Sequence, residues 1–448
     1  MKKSVFVHPA EVPERYRHGV VRSIRVTGLF VVRPLDGKRK FKRVERNFKS
    51  AGGAPLPLNS MAMSGGIPRI LQAGSPGRDP TGADQNQNNH VMKTAELPLY
   101  QRWQQLLASE PNLRIRDAAA RLNVSEAELV ATRVGSGITR LAGDWQEFVK
   151  AMPRLGRVMC LTRNESAVHE RYGVFREIAF FGPPPGIGQV VGPDIDLRLF
   201  MQFWHIGFAV QDETRDGVRH SFQIFDASGT AVHKIYLQAE SNLDAYREIV
   251  EQFRAEDQST EQSVTPHPPR QPEIPDSEVD LDAYHRGYLS LRDTHDFYPL
   301  IRKHGLTREQ SLRLAPKGYA CRVEPRSIEE VLKGVSAIGL PIMIFVGNQG
   351  CLQIHTGPVK NIKWFGPEWL NVLDEEFNMH LRFRDVASVW VVIKPVQEPG
   401  VGHVTSLELY DAGGNTIALL FGKRKPGEPE DPRWRELTGR LRKLEAAV

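Results

Sequence analysis

The sequence predicts an α+β fold made by tandem duplication. Each repeat is expected to supply helices and a large antiparallel sheet, with the two sheets packed together and helices at their flanks. Three observations point there. Short motifs recur in order, at a nearly constant offset, along a chain of 448 residues. Each set of motifs comes after a stretch of helical period and then alternates with β-branched and aromatic residues. A polar, proline-rich segment separates the two sets.

Residues 1–91 stand apart from this plan. They hold 16 Lys and Arg against 6 Asp and Glu, include the basic run Lys38–Arg43, and become rich in Ser, Gly, Pro and Asn from Ser50 to His90. Such a segment buries too little apolar surface to offset its ordering entropy, so an extension without a fold is expected. Two readings stand side by side: translation starts at Met61, Met63 or Met92, or the segment is a basic tail for an acidic partner.

The first repeat is assigned to residues 92–254. Leu99–Leu107 has helical apolar spacing, and Arg116–Leu129 reads as a helix pair. Asn123 suits a helix end, and Ser125 with Glu128 forms a capping box for the next helix. The pair resembles a helix-turn-helix reader of DNA. Glu126–Ala131 lacks the basic residues of a recognition helix, which favours a hairpin packed on a sheet. From Val158 the period becomes that of strands, with Ser221–Phe225 and Val232–Leu237 as a strand and its return. Residues 255–276, with five prolines, read as a surface linker, and 277–448 form the second repeat.

The repeats are matched by four motifs. Val158–Asn164 aligns with Ile342–Asn348, and Phe181-Gly182-Pro183 with Phe365-Gly366-Pro367. Asp196–Phe200 falls opposite Met379–Phe383, and Ser221–Asp226 opposite Ser406–Asp411. A groove between the two unequal halves is the expected ligand site.

Composition excludes several classes. Hydrophobic residues at 40% and charged residues at 25% are ordinary for a water-soluble chain, and no run of about 18 apolar residues predicts a membrane span. No secretory h-region opens the sequence. The three cysteines, Cys160, Cys321 and Cys351, read as thiols of a reducing compartment, so the cytoplasm is expected. The net charge of +6 resides in the extension, which argues against nucleic acid as a partner of the folded body. Gly186, Gly188 and Gly192 follow three prolines and precede no helix, so they are not a dinucleotide loop. Walker A, Gly-x-Ser-x-Gly, His-Glu-x-x-His and zinc or calcium spacings do not occur.

Among fourteen histidines, His233 reads as a packed strand residue, His220 and His403 as solvated strand starts, and His169 as either. His295 differs. In Arg292–Leu300, Asp293 or Thr294 suits an N-cap, which puts His295 in the first turn of a helix. The positive helix end there favours a neutral imidazole, the form an iron ligand takes. The plainer reading is an ordinary helix-start histidine.

Several ordered motifs complete the case: Asp196–Phe200, Phe225–Gly229 with Val232–Lys234, Asp293–Phe297, Phe345–Cys351 and Thr405–Leu409. Together they resemble the HemS family of haemin-trafficking and haemin-degrading factors over about residues 97–445. The resemblance implies a haem-binding protein of haem uptake and iron acquisition, with haem b as ligand. It implies His295 as the proximal metal ligand and Arg198 as the distal, catalytic arginine. Phe200 and Phe345 match apolar wall residues, Arg308 a pocket arginine, and Lys394 and Arg424 basic groups near the propionates. Each Arg or Lys taken alone would be read as a surface charge. Phe421 stands where the family often has tyrosine, and Leu419 where it can have glutamine, so two polar groups of the pocket are replaced. The family includes carriers and degraders, and ring opening would need electrons from a partner because no flavin or nicotinamide motif is present. A haem importer upstream, and a separate haem oxygenase or an electron donor, are the implied partners; a homodimer is compatible with this reading. The alternative from another class is the helix-turn-helix regulator.

Overall fold

The structure is a computed structural model and describes residues 97–444 apart from positions 216, 398 and 426; the basic extension, 1–91, lies outside the described residues. The chain enters through α1 (Leu99–Ser109), α2 (Ile115–Leu122) and α3 (Glu126–Ala131). Asn123 ends α2 in the left-handed conformation, φ 54°. The expected capping box starts α3: the Ser125 N–H donates to the Glu128 carboxylate at 2.7 Å, and the Glu128 N–H to Ser125 Oγ at 3.2 Å. Glu126, Ala127, Leu129, Val130 and Ala131 are buried, and Glu126 pairs with Arg163 and Lys234. The helix is thus a packed hairpin arm and offers no face to a DNA groove.

The strands of the first repeat are β1 (Ile138–Leu141), β2 (Val158–Arg163), β3 (Ala167–Gly173), β4 (Ile178–Phe181), β5 (Ile187–Val191), β6 (Asp196–Phe200), β7 (Ile206–Thr214), β8 (Gly217–Phe225) and β9 (Ala231–Leu237). Helices α4 (Trp145–Ala151) and α5 (Leu243–Gln252) accompany them. The second repeat opens with α6 (Leu281–Leu289), α7 (Phe297–Lys303) and α8 (Arg308–Arg313). Then come β10 (Ala320–Val323), α9 (Ser327–Ala337), β11 (Ile342–Gly347), β12 (Cys351–Gly357), β13 (Ile362–Phe365), β14 (Trp369–Asp374) and β15 (Phe377–Arg382). The chain closes with β16 (Ser388–Pro395), β17 (His403–Tyr410), β18 (Thr416–Gly422) and α10 (Pro432–Gly439).

The expected duplicated α+β architecture with two packed antiparallel sheets is present, but neither sheet belongs to one repeat. The first runs β1-β7-β8-β9-β2-β3-β15-β14-β13 and the second β10-β16-β17-β18-β11-β12-β6-β5-β4. Each sheet takes six strands from one repeat and three from the other. The exchange is sealed by β6 on β12, with Arg198 opposite Leu352, and by β15 on β3, with Met379 opposite His169. It leaves no open strand edge at the boundary between repeats.

The exchange also corrects one alignment. Pairing puts Phe200 opposite Ile187 and Arg382 opposite Trp369, so Asp196–Phe200 corresponds to Asn378–Arg382 rather than to Met379–Phe383. The turn from β13 to β14 is two residues shorter than that from β4 to β5, which shifts the offset. A slip of one residue exchanges the faces of a strand, so Arg198 corresponds to His380.

Alternate residues face inward and fill two related cores between the sheets. One joins Cys160, Leu197, Leu199, Ile235 and Cys351; the other joins Ile342, Ile344, Leu407, Phe377 and Met379. Asn164 and Asn348, at corresponding turns, stitch the halves together. Asn164 Nδ2 donates to Ile417 O at 2.9 Å, and Asn348 Nδ2 to Arg163 O and Val232 O at 2.9 Å each. Helices α6, α7 and α8 cover the outer face of the second sheet along β16 and β17, where Tyr284, Tyr288 and Phe297 pack on Val392 and Tyr410.

Candidate functional site

In an antiparallel sheet, residues directly opposite each other share a face. From Arg198 the outer face of the second sheet can be followed across the strands. Arg198 opposes Leu352; the same face of β12 carries Ile354, which opposes Phe345; and Phe345 opposes Leu419. Leu419 opposes Glu408, which opposes Trp390, two residues before Val392 and four before Lys394 on that face of β16. Phe421 opposes Met343. Arg198, Phe200, Phe345, Phe421 and Lys394 therefore lie on one face of one sheet, and strand exchange is what brings the first two there. These residues share an outer face that strand exchange builds from strands of both repeats.

The centre of the face is a half-buried apolar floor of Met343, Phe345, Leu352, Leu419 and Phe421. Phe345 and Phe421 meet edge to face, with centroids 5.1 Å apart, and Phe421 packs on Val396, Val401 and Val404. At one side, Arg198 is bound by Asp196 and by Leu197 O at 3.0 Å. Burial raises the Asp196 carboxyl above its ordinary range, and Arg198 offsets this only in part. Arg424 follows β18 and is half-buried next to this floor in sequence.

Arg308 and Lys394 do not reach out as loose cations. Both are held by Glu408, a fully buried residue of β17. Arg308 Nε and Nη2 donate to the two Glu408 oxygens at 3.0 and 3.1 Å, and Lys394 Nζ donates at 2.7 Å. Tyr410 Oη donates to Glu408 at 2.6 Å and Ser406 Oγ at 2.8 Å. Burial would push the Glu408 carboxyl up, but the Arg308 and Lys394 cations reverse this and hold it far below its ordinary range. Burial lowers Lys394, which Glu408 offsets only in part. Lys394 Nζ sits 4.9 Å from the Phe297 ring centroid and 5.9 Å from that of Phe421, so it joins the floor to α7.

His295 lies just before α7, in a 3-10 turn over Thr294–Asp296, and its side chain is 49% exposed. Asp293 is the N-cap: one carboxylate oxygen accepts the His295 backbone N–H at 2.6 Å and lies 3.1 Å from Nδ1. Burial raises the Asp293 carboxyl, but hydrogen bonds and charge from His295 outweigh it and bring it below its ordinary value. An ionised carboxylate only accepts, so Nδ1 carries the proton. Arg292 is engaged elsewhere, bidentate on Asp296 at 2.8 and 2.9 Å.

Glu408, and Asp293 as a ring partner, are not among the residues to which the sequence motifs point. The signals are present in both cases: a carboxylate within the strand Ser406–Tyr410, and an Asp two residues before a histidine. Elsewhere, His233 and His169 are buried strand residues, His233 bonding Thr162 at 2.9 Å. Among the described residues no cluster of three metal-binding side chains occurs, and no helix is long and apolar enough to cross a membrane.

The fold and the face define a duplicated, strand-exchanged protein with an apolar sheet face that carries Arg198 at one side and is joined through Lys394 to α7, the helix that the carboxylate-held imidazole precedes. Comparison with known proteins gives this class its family. The domain described as Haemin-degrading HemS.ChuX matches residues 123–253 and 305–441, and the chain belongs to that family. The hemin transport protein HmuS of Yersinia pestis is 36% identical over 352 residues, 77% of this chain and 97% of its own. The hemin transport protein HemS of Yersinia enterocolitica is 35% identical over 78% and 99%. Among solved structures, holo-PhuS, a heme-binding protein from Pseudomonas aeruginosa, is 45% identical with a TM-score of 0.74, covering 79% of this chain and all of that one. ChuS, an E. coli heme oxygenase, is 33% identical with a TM-score of 0.68, covering 76% and 98%.

Proposed function

We propose that the chain binds haem b on the outer face of the second sheet and carries it in the cytoplasm, as part of haem uptake and iron acquisition. The observation that carries this reading is His295, its Nδ1 held by Asp293, just before the helix that Lys394 joins to an apolar floor sharing its sheet face with Arg198. The residue types fit the ligand. An imidazole with its proton fixed on one nitrogen offers the other to iron. Phe345, Phe421, Leu419, Met343 and Leu352 suit a flat macrocycle. The network of Arg308, Lys394 and Glu408 holds two cations against one anion and leaves a positive balance for propionates. Arg198, steadied by Asp196, would be a polar contact for the bound group.

The names of the relatives support carriage, and that of ChuS supports ring opening. The half-buried floor favours carriage, because a site open along one face exchanges its cargo without unfolding. The buried thiols Cys160 and Cys351 suit a reducing compartment. Haem would supply iron-centred redox chemistry when bound; the chain's own part would be to hold it on the apolar floor, with His295 as the nitrogen donor and Arg198 as a further polar contact.

The test is titration with haemin of the wild type and His295→Ala. Saturable binding with a Soret band that His295→Ala abolishes or shifts is expected. An unchanged spectrum and affinity would overturn the assignment. Adding a reductant with catalase present separates the two roles. A persistent Soret band is the carrier's result, whereas its loss with iron release assigns ring opening to this chain, with electrons from a separate donor.

A further inference from the structure

The turn Asp293–Asp296 contains two carboxylates with different partners. Asp296 is taken by both arms of Arg292, so it neutralises that guanidinium. Asp293 is engaged by His295 twice, through the backbone N–H at 2.6 Å and through Nδ1 at 3.1 Å, and the Asp296 backbone N–H adds to the hold on its carboxylate. One oxygen, Oδ1, makes both contacts. The backbone bond places the carboxylate, and the carboxylate then places the ring. An N-cap needs only the first contact.

We propose that Asp293 is a positioning residue for His295: its carboxylate fixes the imidazole as the Nδ1–H tautomer, makes Nε2 the donor atom, and strengthens that donor for the metal it ligates. The tautomer follows from acceptor chemistry, because an ionised carboxylate has no proton to share and Nδ1 must donate. The strengthening follows from charge: an anionic acceptor on the far nitrogen pushes electron density onto the near one. Asp293 thereby sets how firmly iron is held and which oxidation state the site favours. The metal part of this inference rests on the haem reading above; the tautomer part concerns the protein alone.

Three substitutions separate the cap from the ring contact. Asp293→Asn keeps the cap and replaces the anionic acceptor with a neutral one. Asp293→Ser keeps the cap, but its shorter side chain does not reach Nδ1. Asp293→Ala loses both. Asn and Ser are as good N-caps as Asp, so the fold is retained. The first measurement is ¹⁵N NMR of histidine-labelled apoprotein, with the His295 signal assigned by its loss in His295→Ala. Wild type and Asp293→Asn are expected as Nδ1–H, and Asp293→Ser shifts toward Nε2–H. The second is made on haem-loaded protein. The reduction potential should rise and the iron–histidine stretch fall in the order Asp, Asn, Ser, and haemin affinity in Asp293→Ser should fall about 10- to 100-fold. An Asp293→Ser protein with the wild-type tautomer, potential and affinity would reduce Asp293 to a cap and overturn the proposal. Should His295→Ala leave the haemin spectrum unchanged, the ligand reading and the metal half of the proposal both fall, while the apoprotein spectrum still decides the tautomer.

Discussion

Replacing Glu408 with Gln should unfold the chain more readily than removing either of the cations it holds. Glu408 is fully buried and receives five hydrogen bonds, from Arg308 Nε and Nη2, Lys394, Ser406 and Tyr410. Glutamine removes the charge and turns one oxygen into a donor that faces donors. Buried Lys394 and half-buried Arg308 then lack a counter-charge, and breaking a buried pair from one side costs about 3–5 kcal/mol. Lys394→Met is the control. It leaves Arg308 and Glu408 as a one-to-one bidentate pair, and methionine fills the space between the Phe297 and Phe421 rings, so a cost below about 2 kcal/mol is expected. The assay is guanidinium denaturation of the apoprotein at neutral pH, comparing midpoints at constant slope. The reasoning is refuted if Glu408→Gln lies within about 1 kcal/mol of wild type, or if Lys394→Met costs as much.

Three further outcomes follow from the same geometry. Burial would raise the Glu126 carboxyl, but Lys234 and Arg163 bring it from 4.5 down to about 2. A depressed carboxyl stabilises fully above its unfolded value, so about 3 kcal/mol should be present above pH ~4.5 and lost as pH falls toward 2; a Glu126→Gln protein whose acid-unfolding profile matches wild type would contradict this. Asn348→Ala removes donors to Arg163 O and Val232 O and acceptors for the Gly350 and Cys351 N–H groups, at a cost of about 2–4 kcal/mol in chemical denaturation; a loss under 1 kcal/mol would mean that water replaces it. The first repeat expressed alone, residues 97–254, lacks β15 on β3 and β12 on β6, so two copies should exchange β4–β6 and run as a dimer in size-exclusion chromatography. A stable monomer would show that the exchange is dispensable.

How much of this was legible in the sequence depends on the range of the interaction. The end of α2 at Asn123, the capping box of α3 and the N-cap before His295 rest on contacts within four residues, and each appears where the residues predict it. The duplication was legible because strand period and turn residues repeat locally. Strand exchange was not, because β6 pairs with β12 about 150 residues away and nothing in Asp196–Phe200 distinguishes that partner from a neighbour. The misaligned motif has the same origin: Phe200 and Phe383 look like counterparts, and only the pairing reveals the two-residue difference in the preceding turn. Arg308 and Lys394 were visible as cations, but their common partner Glu408 was not, since that network forms between a helix and two strands.

Duplication supplied two outer faces, and position by position only one of them offers the apolar floor on which the proposed ligand is placed. In the second sheet Phe345 is flanked by Leu419 and Ile354. Its counterpart in the first sheet, Leu161, is flanked by Lys234 and Glu170. Phe421 becomes Tyr236, Gly347 becomes Arg163, and Arg198 becomes His380, whose Nδ1 is 2.7 Å from Asn371 Oδ1. His295 stands two residues before α7, and the residue two before the corresponding α2 is Leu113, an apolar side chain packed in the helical hairpin. Charge that in the second repeat sits to one side, on β16, β17 and α8, sits in the first repeat on β9 and β2, in the middle of the sheet face. On the first face that position is taken: Lys234 is buried and, with Arg163, paired with Glu126 of α3, so a macrocycle laid there would have to break buried ion pairs and would meet Glu170 beside them. Strand exchange deepens the asymmetry, because it sends Arg198 and Phe200 to the apolar face and His380 and Arg382 to the charged one.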